Sequence, residues 1–257
     1  MIKFFRKIRQ TMIKENKVSK YVLYAIGEII LVVIGILIAL QINNNNEIRK
    51  AREKELHYLS NIKSDLNLNI KEIESYIITR STQIESANKA IEYFEGKPLT
   101  NLDDFNKDIV NIYTWRKFYQ INNTFQELTN SGNLALISND SIKNTLLNLE
   151  SLYKKLKYEE EHFRYDAEIL LYEPSYKVLD LNPIVKKYTY QMSNGKAGEN
   201  ITLPRENFEL MLKDLEQKNG FVMAVFEFSV MNQQLEVMKT LSEGLITLIE
   251  KEINSND

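Results

Sequence analysis

Residues 21–42 read YVLYAIGEIILVVIGILIALQI, from Tyr21 to Ile42, and carry a single charge, Glu28. As a helix these 22 residues rise ~33 Å, about the thickness of a bilayer's hydrocarbon core. Later apolar runs are all broken by a charged side chain well before the ~18 residues that a spanning helix needs. The stretch therefore predicts one transmembrane helix, and the rest of the chain is read outward from it.

The flank before it is basic. Lys3, Arg6, Lys7, Arg9, Lys14, Lys17 and Lys20 stand against one acid, Glu15, in residues 1–20. Ile2, Phe5, Ile8 and Met12 recur among them at helical spacing, so residues 2–14 can lie in the headgroup layer with their cations toward anionic lipid. After the span, Arg49, Lys50, Arg52 and Lys54 are interleaved with Glu47, Glu53 and Glu55. The excess of Lys and Arg on the first side predicts a cytoplasmic N-terminus. The apolar segment exceeds a signal-peptide core and no small-residue cleavage site follows it, so the anchor is expected to stay uncleaved. Residues 43–257 hold 26 basic and 33 acidic side chains. That balance argues against a nucleic-acid partner for the large domain.

Within the span, Glu28, Gly35 and Ala39 fall close to one line at helical spacing. Gly35-x-x-x-Ala39 is a small-x-x-x-small pattern that permits close helix approach, and a carboxyl in hydrocarbon is costly unless hydrogen-bonded or neutral. The stripe is thus a candidate contact with a second membrane helix, from another copy or from a partner protein. The plainer alternative is that Glu28 is protonated or reaches the headgroups.

Several runs have a family likeness: Phe4-Phe5-Arg6-Lys7-Ile8-Arg9, Glu15-Asn16-Lys17, Tyr24-Ala25-Ile26-Gly27-Glu28-Ile29 and Val32 through Asn44, with Glu127-Leu128, Ser131-Gly132 and Leu134-x-Leu136-Ile137-x-Asn139 further on. Through them the chain resembles the domain-of-unknown-function 6090 family, membrane proteins of Bacteroidota. That pattern continues with Trp and Asn-Glu after the paired asparagines, where this chain has Asn45, Asn46 and Glu47. The outer interface consequently lacks its aromatic anchor. The resemblance implies a membrane-tethered helical protein and implies no activity.

Beyond the span, 8 Gly and 4 Pro in 257 residues argue for long helices rather than a turn-rich sandwich. From Glu47 to Phe94 a heptad frame at 56, 59, 63, 66, 70, 73, 77, 80, 84, 87, 91 and 94 is apolar except at Lys63 and Arg80. Such a seam serves a coiled coil between chains or one face of an intrachain bundle. Residues 101–130 read as two short helices joined around Thr114-Trp115, with Gly132 closing the second. Asn139 or Asp140 caps a long helix, with Ile142, Leu146, Leu149, Tyr153, Leu156, Phe163, Ala167 and Leu170 inward and Pro174 as its stop. Residues 175–203 read as loop with a short helix near Asn182–Tyr190. A last helical segment starts near Pro204, pauses at Asn219-Gly220 and runs to Ile253.

Chemistry is sparse. There is no Cys, which excludes disulfides, thiol catalysis and Cys-based metal sites. Glu159-x-x-His162 has the spacing of a di-iron half-site, but no second pair occurs, so His162 reads as a solvated residue in the acidic run Glu159–Glu161. No G-x-S-x-G, P-loop or G-x-G-x-x-G is present. The 14 Tyr and 11 Phe read as core rather than a ligand cage.

The expected protein is all-α: a basic amphipathic segment (1–20), a transmembrane helix (21–42) and a four-helix-type bundle (43–257), placed in the periplasm beyond a bacterial inner membrane. The expected role is non-enzymatic, a tethered interaction or assembly module with no catalytic residues, metal or cofactor. Its partners are the lipid bilayer and either a second copy or another membrane protein. The alternative is a sensor-like domain binding a small molecule of unknown identity. A reporter active only outside the cytoplasm, fused after Asp257, should be active, and a cytoplasmic signal would overturn this orientation.

Overall fold

The computed structural model describes residues 18–255, and the amphipathic pattern of residues 2–14 lies outside them. The described residues are all-α, with no strand among them. They fall into two compact units, the first ending at His57 and the second beginning at Tyr58. Helix α1 (Val18–Phe94) contributes to both.

In the first unit, α1 is apolar on every side from Ile29 to Leu40, and every side chain from Ile29 to Asn45 is exposed. A helix hydrophobic all round is stable only when buried in protein or lipid, and nothing among the described residues covers this one. It is long and apolar enough to cross a membrane.

In the second unit, three long helices pack together. The outer part of α1, helix α4 (Asp140–Ala167) and helix α8 (Leu215–Asn254) supply most of the core, including Leu59, Ile73, Leu156, Phe163, Phe228 and Leu235. α8 runs antiparallel to α1: Glu250, Lys239, Asn232 and Lys218 meet Lys63, Glu74, Ser81 and Glu95 in turn. It is antiparallel to α4 as well, with Glu252 bonded to Asn139 at one end and Phe228 on Phe163, centroids 4.6 Å apart, toward the other. Asn139 caps α4, its carboxamide oxygen accepting from the Ser141 and Ile142 amides.

The fourth layer is composite. Helix α2 (Leu102–Tyr113), an extended strap over residues 115–121 and helix α3 (Asn123–Asn130) run in succession antiparallel to α1. Phe105 lies on Tyr93, Asn111 bonds Ser86, Ile121 bonds Asn69 and Glu127 bonds Tyr58. The rises match: from Arg80 to Asn69 the helix climbs about 16 Å, a distance that extended chain from Arg116 to Ile121 also covers. The joint expected around Thr114-Trp115 is therefore an extended strap reaching to residue 121. A 3₁₀ turn (Asn133–Leu136) leads from α3 to α4, and Gly132 enters it with φ 72°, the left-handed region that favours glycine.

The seam of α1 differs from the heptad frame at alternate positions. Leu59, Leu66, Ile73, Arg80 and Ala87 are buried as expected, but Ile62, Asn69, Gln83 and Ala90 are buried where Lys63, Ile70, Ile84 and Ile91 fill the frame. The reason is the strap. Without helical bonds of its own, its backbone needs partners, and Asn69 and Tyr76 reach Ile121 and Lys117 where isoleucine would leave those groups unpaired, while Gln83 donates to the Asn111 carbonyl at the end of α2.

The end of α4 differs too. Pro174 stops nothing. It sits in the first turn of helix α5 (Glu173–Val178), and the chain passes from α4 to α5 through a π turn (Glu168–Tyr172). Proline has no N–H and its ring crowds the carbonyl four residues back, which the wider π turn relieves. The extra residue shifts the phase by one, so Leu171 is buried and Leu170 only partly. Helices α6 (Leu181–Met192) and α7 (Arg205–Met211) follow. The pause before α8 falls at residues 212–214, where Asp214 caps it, rather than at Asn219-Gly220.

Gly220 lies inside α8 for another reason. A Cβ there would stand 2.5 Å from Leu171 Cδ2 and 3.0 Å from the Leu170 carbonyl oxygen. Its missing side chain lets α8 close on the π turn. Gly244, in the same helix, has nothing within 4 Å of that position. Gly244→Ala should stabilise the protein by about 0.5–1 kcal/mol through helix propensity, and Gly220→Ala should destabilise it by about 1–3 kcal/mol through overpacking. Thermal melts of the two variants check the opposite signs.

Candidate functional site

The candidate membrane contact is carried by α1. Glu28 is half-buried, Gly35 and Ala39 are exposed, and a Cβ at Gly35 would meet nothing within 4 Å. A groove of about 420 Å³ beside Glu28 is lined by Tyr24, Gly27, Leu31 and Val32. Glu28 thus stands in a groove of the apolar helix, and the two small residues continue its face about two and three turns further on.

A second site lies in the helical domain, at the strap. Arg80 of α1 and Glu160 of α4 are 2% and 1% exposed. The Arg80 guanidinium donates through Nη2 to Glu160 Oε1 and to the Arg116 carbonyl, 3.3 Å away. Glu160 Oε1 also accepts the Phe118 amide at 2.8 Å. One carboxylate oxygen therefore joins α4, the strap and α1. Tyr76 donates its hydroxyl to the Lys117 carbonyl at 2.7 Å, packs edge-to-face on Phe118 and presents its ring 5.6 Å from the Arg80 guanidinium carbon.

The electrostatics are costly. Burial lowers the Arg80 pKa although Glu160 opposes it, and burial raises that of Glu160 although Arg80 and the Phe118 amide oppose it. Both shifts show desolvation outweighing the mutual attraction, which is the usual balance for a buried ion pair. Arg80 stays charged, since guanidinium does not lose its proton in proteins. Its Nε and Nη1 have no hydrogen-bond partner among the described residues. Arg80 also lines a cleft of about 430 Å³ with Glu72, Ser75, Tyr76, Thr79, Gln83, Thr114 and Arg116. The cleft offers two guanidinium groups, one carboxylate and several hydroxyls, a set suited to holding a polar molecule.

Sequence reading gave no role to Arg80 or Glu160, although one signal was present. Arg80 is a charged residue on an otherwise apolar seam, and such a residue must find a counter-ion or a ligand. Glu160 carried no such mark between Glu159 and Glu161, and the reading of that run as solvated fails at this position. His162 keeps an exposed face, as expected, but its ring Nδ1 lies 3.1 Å from Glu227 Oε1 of α8.

The described residues thus form an all-helical domain and, among them, one helix long and apolar enough for a membrane. Residues 28–176 match the family of unknown function DUF6090. That is more than half of the chain, and the protein belongs to this family. The matched region takes in Glu28, the strap, Arg80 and Glu160 and stops short of α8. No curated protein and no solved structure matches the chain.

Glu160→Gln keeps an acceptor for the Phe118 amide but leaves the guanidinium buried without a counter-ion, and should cost about 3–5 kcal/mol of stability. Arg80→Met combined with Glu160→Gln should recover most of that loss. Chemical denaturation of the single and double variants measures the coupling, and additive losses would show that the two charges do not act as a pair.

Proposed function

We propose that the protein is a membrane-tethered helical module that acts by binding rather than by catalysis, and that it takes a small polar ligand with an acidic group in the cleft beside Arg80. The observation that carries this reading is the buried, partly unpartnered guanidinium lining an open cleft. A charge kept out of water at a net electrostatic cost is an arrangement that a ligand offsets, because a carboxylate in the adjoining cleft adds negative charge beside Arg80 and can pair with the exposed Arg116. Arg116 adds a second cation, and Glu72 with the hydroxyls of Ser75, Thr79 and Thr114 suits a hydroxyl or ammonium group at the ligand's other end. The reading of no catalysis rests on the absence of nucleophile and phosphate-binding motifs from the sequence.

The proposed placement is a single pass through a bacterial inner membrane, N-terminus inside and helical domain in the periplasm, which the basic flank of residues 1–20 supports. An assembly role through the membrane helix is the second reading. It is favoured by the open face at Gly35 and Ala39, where a second helix, from another copy or from a partner, can approach closely. The two readings join if the domain binds the ligand and the helix carries the partner.

Full-length protein in nanodiscs, screened by thermal shift against free amino acids and short dicarboxylates, should be stabilised by at least one of them. Arg116→Ala, an exposed position, should abolish that shift. Gly35→Ile should keep the shift and lose crosslinking to a partner helix in native membranes. If no member of the panel stabilises the wild type, the ligand reading is wrong, and if Gly35→Ile crosslinks like wild type, the membrane face is only an anchor.

A further inference from the structure

Away from the ion pair, side chains from two helices converge at a different point. His162 and Asp166 stand one turn apart on α4, and Glu227 faces them from α8. One possible ligand atom from each lies within 4.8 Å of the others. The three grade from exposed His162 through half-buried Asp166 to buried Glu227. Glu227 is 6% exposed, and while its Oε1 meets the imidazole, its Oε2 has no hydrogen-bond partner among the described residues. A buried carboxylate oxygen without a donor is uncommon and calls for a proton or a cation. Burial raises the Glu227 pKa, the hydrogen bond from His162 opposes that shift, and the charges of Asp166 and Glu159 reinforce it.

We propose that His162, Asp166 and Glu227 form a binding site for a divalent first-row transition-metal ion of the zinc type, bridging α4 and α8. One imidazole nitrogen and two carboxylate oxygens form a borderline donor set suited to Zn²⁺, Mn²⁺ or Fe²⁺, with no thiolate to draw softer ions. The geometry is close to what coordination requires. Ligand atoms about 2.0–2.1 Å from a tetrahedral ion are roughly 3.3 Å from one another, and the imidazole and Glu227 already stand 3.1 Å apart. Asp166 closes the remaining distance by a rotamer change that its partial exposure allows. The solvent-facing side, where His162 is exposed, leaves a position for water, as in zinc sites with three protein ligands. Neighbouring carboxylates that repel one another around Glu227 are stabilised together by one cation.

Spacing alone does not show this site. Glu159-x-x-His162 is the pair the sequence displays, and the third ligand, 65 residues from His162, comes from another helix. The bland reading of the same geometry is a hydrogen bond through which His162 neutralises a buried acid.

Full-length protein in detergent micelles, stripped with chelator and titrated with zinc chloride by calorimetry, distinguishes the two. Binding of one zinc per chain is expected, with a rise in melting temperature. His162→Gln and Asp166→Asn should each weaken binding by more than the roughly 10–100-fold lost with an outer-shell partner, and Asp140→Asn, an exposed acid elsewhere, should change nothing. Cobalt substitution should give the visible absorption of a four- or five-coordinate ion and lose it in His162→Gln. His162 is exposed, so that variant tests the site whether or not Glu227→Gln folds. Equal zinc affinity in wild type and the His162→Gln, Asp166→Asn double variant would overturn the proposal and leave the hydrogen bond as the whole role of the cluster.

Discussion

A stretch of extended backbone laid against helices must find hydrogen-bond partners outside itself, and that requirement shapes the domain beyond residue 57. The strap of residues 115–121 has neither helical bonds nor a neighbouring strand. Its amides and carbonyls are met by side chains: Asn69 brackets Ile121, Tyr76 takes Lys117, Arg80 takes Arg116 and Glu160 takes Phe118. An unpaired buried backbone group costs as much as a lost hydrogen bond, so each of these polar residues has to be inside. The face of α1 that turns inward is chosen by this demand as much as by apolar burial.

The same demand explains why a charged pair sits in the core. Glu160 serves the Phe118 amide, Arg80 serves the Arg116 carbonyl, and their opposite charges make it possible to bury both. Desolvation still outweighs their attraction. The pair therefore acts as a positioning device for the strap, and the cleft beside it inherits a guanidinium held rigidly from below. Structure and proposed binding thus draw on one arrangement.

A second accommodation lies at the far end of α4. Pro174 removes a donor, the backbone widens into a π turn, and Gly220 of α8 closes against the turn because it has no side chain. Buried hydroxyls tie the region down: Tyr113 approaches the Leu171 carbonyl and bonds Ser175, which bonds Gln217. The glycine and the proline serve a single contact, although one is in α5 and the other in α8.

The sequence by itself determined the apolar span, the helical class, a cap at Asn139 or Asp140 and most buried positions of the long helices, because these depend on local composition and on a period of 3.6 residues. It also showed Arg80 as a charge on an apolar seam. Its frame for α1 was right at Leu59, Leu66, Ile73, Arg80 and Ala87, and one residue off between them, because periodicity counts apolar side chains and cannot see that Ile121 of the strap bonds Asn69 or that Asn111 of α2 bonds Gln83. The membrane stripe of Glu28, Gly35 and Ala39 could be read from spacing, but the two candidate sites of the helical domain were decided only in three dimensions. Glu160 is one of three consecutive acids until Phe118 and Arg80 close on it, and His162, Asp166 and Glu227 meet only when α8 packs antiparallel on α4. Pairing between distant segments is fixed by which groups must be satisfied together, and that condition is written in no single stretch of the chain.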